Sequence, residues 1–263
     1  MDGSGSVADG QSCLESSVDE ARTDRDELLS MPDVERKHVL EVYDAIAPHF
    51  SDTRFAIWPG VDRFLTALDE HALVLDLGCG NGKYMHRSQA KNSNGVRIIG
   101  CDASEPLAKV AARGCVGDAA VGDAVRAPFR DDAADAAISV AVLHHLSTET
   151  RRIHAIRELV RVTRVGGKIL IYVWAREQES ERATVAKWKR IVAAGHTGSA
   201  GFGASMPSPA KNDYLVPWHV PTYSKRGDDR VERATQAGGE FVSENATVRL
   251  HRYYHVFTEG ELD

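Results

Sequence analysis

The stretch "LVLDLGCGNGKY", Leu73 to Tyr84, runs a short, mostly apolar strand-like segment into three closely spaced glycines, Gly78, Gly80 and Gly82. Glycines placed directly after a strand let the backbone turn sharply and come close to a ligand. The spacing G-x-G-x-G is tighter than the GxGxxG pattern of dinucleotide sites. The acid before it, Asp76, would repel a pyrophosphate and suits an ammonium-bearing ligand instead.

Four more strand-like runs follow. "VRIIGCD" ends in Asp102, "AAVGDA" (Ala119 to Ala124) contains Asp123, "ADAAISVAVLHHL" ends near His144 and His145, and "GGKILIYVWA" follows Gly166 and Gly167. Between the last two runs, Ile153, Ile156, Val160 and Thr163 are spaced as a helix, with Ser147 or Thr148 as its N-cap. Upstream, Val39, Val42, Ile46 and Phe50, then Val61, Phe64, Leu65 and Leu68, predict two amphipathic helices. Strands alternating with helices predict an α/β, Rossmann-like fold: a mostly parallel sheet with helices on both faces.

The acids at three successive strand ends specify a ligand. Asp76 suits an ammonium group. Asp102, about twenty residues past the last glycine, is placed to accept from both ribose hydroxyls. Asp123 can accept from an adenine amino group. S-adenosylmethionine carries all three groups and no phosphate.

Composition sets the bounds. Of 263 residues, 43% are hydrophobic and 27% charged, and no apolar run approaches the length of a membrane span. The 32 basic and 38 acidic residues give −6, so no global cationic field attracts nucleic acid, which leaves room for a local basic face. The four cysteines, Cys13, Cys79, Cys101 and Cys115, form no CxxC pair and imply a reducing compartment. Residues 1–32 are read as a disordered acidic tail without a targeting signal, and the expected location is the cytoplasm, with the nucleus open. Residues 33–263 are read as one catalytic domain with a flexible insertion near 176–246.

The segments "VLDLGCGNGKY", "GCDAS", "GDAVRAPFRDDAADAAISVAVLHHL" and "GGKILIYVWA" together resemble the class I methyltransferases. "EVYDAIAPHFSDTRFAIWP", "YVWAREQE", "DYLVPWHV" and "RYYHVFTEGEL" narrow the resemblance to the tRNA wobble-uridine carboxymethyl methyltransferases, both stand-alone and AlkB-fused. It implies methyl transfer from S-adenosylmethionine to the carboxylate of 5-carboxymethyluridine in the tRNA anticodon. It also implies a small zinc-binding activator subunit covering an apolar surface of the sheet. Set against the family pattern, the C-terminal strands are expected to be missing, leaving a sheet edge exposed.

A free carboxylate is ionised near pH 7, so this reaction needs positioning groups rather than a general base. His144 and His145 stand at the carboxyl edge of the sheet; one is expected to face the substrate, His144 by preference. Arg54 and Trp58 either bridge the cofactor carboxylate or the substrate base, or simply pack between helices. Tyr43 either covers the methionine end of the cofactor or belongs to the core. "HRYYH", His251 to His255, suits base stacking and phosphate contact, or is one strand with alternating faces; Trp218 and His219 share that ambiguity. "KWKR", Lys187 to Arg190, is a solvated helix face or a tRNA backbone contact. No metal-ligand spacing is present. Two other readings compete: a small-molecule methyltransferase, and a truncated, non-catalytic binding protein.

Overall fold

The computed structural model describes residues 30–86, 94–114, 118–176, 212–223 and 229–262, and the backbone of 189–190. One compact unit spans Pro32–Asp263. The expected N-terminal tail up to residue 29, Cys13, Cys115, Lys187 and most of the expected insertion before Asn212 lie outside the described residues.

Five strands form an all-parallel sheet in the order β3-β2-β1-β4-β5: β1 (Leu73–Leu77), β2 (Arg97–Asp102), β3 (Ala119–Val121), β4 (Ala134–Val140) and β5 (Thr163–Tyr172). Strand alternation divides the core. Val74, Ile98, Ala136 and Ile138 pack on one face with Val61 and Leu65 of α2 (Pro59–Thr66). Leu75, Leu77, Cys101 and Ala137 pack on the other with Ala155 and Leu159 of α4 (Glu149–Val162). α3 (Glu105–Gly114) makes the crossover between β2 and β3. Cys79 and Cys101 are free and buried, as small core residues should be.

A second, antiparallel sheet, in the order β6-β7-β9-β8, contains β6 (Lys189–Arg190), β7 (Asp213–Pro221), β8 (Glu240–Val242) and β9 (Thr247–His255). So the described part of the expected insertion carries strands, and also a short helix, α5 (Arg230–Gln236). Helix α1 (Glu41–Thr53), preceded by a π-helical turn at Arg36–Leu40, joins this sheet to the rest. Its Val42, Ala45 and Ile46 pack with Trp218, Val220, Val248 and Leu250. That packing sets Phe50, on the same helix, beside Gly80 of the glycine turn, with Tyr43 edge-on to its ring at 5.5 Å.

Two sequence expectations are corrected. The fourth strand ends at Val140, before the histidines, because Ala141 takes a left-handed conformation (φ 63°) and Leu143–His145 form a 3₁₀ turn. On α4 the spacing found the helix and only part of its inward face: Ile156 packs on the core, Ile153 and Val160 are exposed, Thr163 is buried but already opens β5, and Arg151, Ala155, Leu159 and Val162 are the buried positions. Arg151 is buried because of an ion pair. Arg151 Nε donates to Glu35 Oε2 (2.9 Å) and its Nη2 to Asp123 Oδ2 (2.9 Å), which holds the arginine on the inward face with Ala155, Leu159 and Val162. Thr148 is the N-cap, accepting from the Arg151 N–H. β5 pairs with β4 alone among the named strands and exposes Val165 and Ile169.

Candidate active site

Gly78, Gly80 and Gly82 all have positive φ, 89°, 57° and 76°, a region L side chains rarely enter. A Cβ on Gly78 would lie 2.3 Å from Val142 Cγ2, so the turn after β1 is packed against the turn after β4. At Gly80 the nearest neighbour would be the Phe50 ring at 3.5 Å.

Below this turn, Asp76 is 1% exposed and neither carboxylate oxygen has a hydrogen-bond partner. Burial, reinforced by the charge of Asp102, pushes its pKa up to about 7, with Lys83 opposing. A buried carboxylate left without donors is costly to the free protein and fits a cationic ligand group. Asp102 is differently placed: its Oδ2 accepts from the Gly80 N–H (2.8 Å) and its Oδ1 from the Ser104 N–H (2.9 Å). Burial raises its pKa to about 6 against those two donors. The carboxylate therefore ties the glycine turn to the end of β2 and keeps lone pairs for hydroxyl donors. Asp123 accepts from the Val125 N–H (3.1 Å) and from Arg151, with its side chain still 30% exposed.

The histidines are fixed rather than free. His145 Nδ1 lies 2.9 Å from the Tyr253 carbonyl oxygen, which can only accept, so Nδ1 carries the proton. Nε2 is then the acceptor of the Tyr43 hydroxyl (2.9 Å), and Tyr43 Oη in turn accepts from Arg252 Nη1 at 3.4 Å. Burial lowers the His145 pKa to about 3, so the imidazole is neutral at pH 7 and a poor base. His144 is fully buried between His145 and Tyr254, with ring centroids 4.3 and 4.4 Å away, and neither ring nitrogen has a partner. Burial and the neighbouring His145 hold it neutral too.

Sequence reasoning placed Tyr43 and Trp58 near the cofactor and Arg54 near the chemistry. Tyr43 belongs to the histidine network. Trp58 packs edge-on against Tyr172 (5.9 Å) and under Lys83 Nζ (4.8 Å). Arg54, exposed, lies 4.8 Å over the Trp218 ring, while its carbonyl accepts from Asn81 within the glycine turn (3.0 Å). The exposed-stacking reading of "HRYYH" fails: Arg252, Tyr253, Tyr254 and His255 are buried, and His255 bridges Asp213 and Glu261. Trp218 is buried and His219 exposed, since they alternate along β7. Lys83 and Arg252 were missed as individual residues; each stood inside a motif that had been singled out, but nothing local marks their contacts.

A family model described as "Methyltransferase domain" matches residues 75–171. A tRNA (carboxymethyluridine(34)-5-O)-methyltransferase of Arabidopsis thaliana is 44% identical over 89% of this chain and 76% of its own length. The chain belongs to the tRNA (carboxymethyluridine(34)-5-O)-methyltransferase family. A longer family member, alkbh8 of Xenopus tropicalis, is 39% identical over 89% of this chain, which spans 38% of that relative. Among solved structures, a complex between the Haloferax volcanii Trm112 methyltransferase activator and a methyltransferase is 28% identical, with a TM-score of 0.39 over 48% of this chain and 57% of that one. As a member of this family the chain is an S-adenosylmethionine-dependent methyltransferase. The unpartnered oxygens of Asp76 fit the cofactor's ammonium, and Asp102 keeps lone pairs for hydroxyl donors.

Proposed function

We propose that this chain methylates the carboxylate of 5-carboxymethyluridine at the wobble position of the tRNA anticodon. The observation that carries the reading is the buried, donor-free Asp76 under three left-handed glycines, in a chain 44% identical to a relative of that name. When bound, S-adenosylmethionine supplies a methyl group whose carbon–sulfur bond breaks toward sulfur as the carboxylate oxygen takes the carbon, with no proton transferred. The protein's own residues bind, orient and exclude water. Asp76, Asp102 and Asp123 hold the cofactor's three polar groups. His144 and His145 are buried and neutral and remove no proton, which suits a nucleophile already ionised.

The anticodon loop and a small zinc-binding activator subunit belong to the same reading. The exposed Val165 and Ile169 on edge strand β5 support an apolar cover there. The cytoplasm is the proposed location. No helix among the described residues is long and apolar enough to cross a membrane. The test is to incubate the chain with tRNA bearing 5-carboxymethyluridine and labelled S-adenosylmethionine, then treat the product with mild alkali. An ester label is released. A label that resists alkali would place the methyl elsewhere and refute the reading.

A further inference from the structure

Arg252, in the middle of β9, is 8% exposed, and no carboxylate oxygen among the described residues lies within 4.0 Å of its guanidinium. The contrast with Arg151 is direct: that arginine, also buried, holds two carboxylates. Around Arg252 there are rings instead. Its Cζ stands 4.6 Å from the Trp218 centroid and 5.1 Å from that of Tyr254. One Nη reaches the Tyr43 oxygen at 3.4 Å, and Nε is sealed with no acceptor at all. Aromatic faces and one long hydroxyl contact offset only part of the cost of removing a guanidinium from water. A buried cation kept in place this way is complementary to an anion that none of the described residues provides.

Position identifies the anion. The Phe50 ring lies against Gly80 of the cofactor turn and 5.9 Å from Trp218, so the arginine's aromatic box adjoins the cofactor site through one side chain. Both histidines in the box are neutral, leaving Arg252 as its buried cation. Tyr43 donates its proton to His145 Nε2, so its oxygen faces the arginine as an acceptor and cannot also offer a hydrogen there.

We infer that Arg252 receives the substrate's carboxylate and so selects the acid over its neutral derivatives. This rests on the function proposed above. The planar, always-charged guanidinium matches a carboxylate in geometry as well as sign. The same contact distinguishes substrate from product. Esterification converts the anion to a neutral ester, so Arg252 loses its partner in the step that completes the reaction, and the product is released more readily than the substrate binds.

The test compares anticodon stem-loops bearing 5-carboxymethyluridine with stem-loops bearing the isosteric neutral amide, 5-carbamoylmethyluridine. Binding to the full chain is followed by tryptophan fluorescence in the presence of S-adenosylhomocysteine, so that no turnover occurs. The unmodified chain should bind the acid roughly tenfold to hundredfold more tightly than the amide. Arg252→Met should bring the ratio close to one, and Arg252→Lys, which keeps the charge in the fold, should fall between. Unchanged S-adenosylhomocysteine affinity in either variant certifies an intact site. An acid preference that survives in both variants overturns the inference. So does an equal loss for acid and amide with a shallower salt dependence, which would make Arg252 a phosphate contact. If the preference depends on Arg252 but no alkali-labile ester forms on turnover, the proposed reaction fails and the carboxylate site stands. If the ester forms and the preference ignores Arg252, the reverse holds.

Discussion

Asp76→Asn should stabilise the cofactor-free protein while sharply weakening cofactor binding, and the gain should depend on pH. Burial and Asp102 raise the folded-state pKa of Asp76 from 3.8 to about 7. Between those values the folded chain holds a proton that the unfolded chain has released, so folding stability is fully present below pH 4 and declines as pH rises through 7. At about 1.4 kcal/mol per unit, the whole window amounts to about 4 kcal/mol. The part between pH 5 and pH 8 is roughly 2–3 kcal/mol. Asparagine fills the same space without ionising, so its stability relative to aspartate should improve by that amount from pH 5 to pH 8. Urea unfolding of both proteins at pH 5, 6, 7 and 8, without cofactor, measures the difference. In thermal melts it corresponds to roughly 5–10 °C for a unit of this size. Calorimetric titration of S-adenosylmethionine at pH 8 should show affinity reduced by roughly hundredfold or more, because a buried charge pair is lost. A stability difference that stays constant with pH, or moves the other way, would refute the assignment of Asp76 as a buried charge awaiting a cation.

Other outcomes follow from the same geometry. Gly78→Ala and Gly80→Ala both force a left-handed alanine, costing about 1–2 kcal/mol, but only Gly78 adds a clash with Val142, for a total of about 2–4 kcal/mol; urea melts should give that order, and the opposite order would count against it. Glu35→Ala removes one of the two carboxylates paired with the buried Arg151 and should cost about 3–5 kcal/mol in equilibrium unfolding; a loss below about 1 kcal/mol would mean the network contributes little. His145, with its pKa lowered to about 3, should show nitrogen-15 shifts of a neutral ring protonated at Nδ1 throughout pH 5–9, and a titration within that range would contradict the Tyr43–His145–Tyr253 chain of hydrogen bonds.

The parallel sheet and the cofactor turn were legible in the sequence because their determinants are contiguous. Three glycines within five positions announce left-handed backbone, and an acid at the end of a strand is carried by strand geometry to the ligand edge. Asp76, Asp102 and Asp123 needed no knowledge of distant packing to be singled out. The inward face of α4 did need it. Its stripe is organised by Arg151, and an arginine enters a core only when an acid from elsewhere meets it; Glu35 stands 116 positions away. The histidine pair shows the same division. Sequence placed both residues at the edge of the sheet, but only the Tyr253 carbonyl and the Tyr43 hydroxyl decide the tautomer and hence that His145 cannot act as a base.

By itself the sequence determined the α/β sheet and the cofactor class and singled out the three acids proposed to hold it, since each depends on the backbone preferences and spacing of neighbouring residues. Tertiary structure alone decided that Arg252 is a buried cation with no carboxylate partner among the described residues, and that Trp218, Tyr254 and Tyr43 surround it. Tyr43 lies 209 positions from Arg252, and in "HRYYH" an arginine reads the same whether it faces water or an aromatic box. The electrostatic free energy of a charge depends on what surrounds it, and those surroundings exist only once α1, β7 and β9 have packed together.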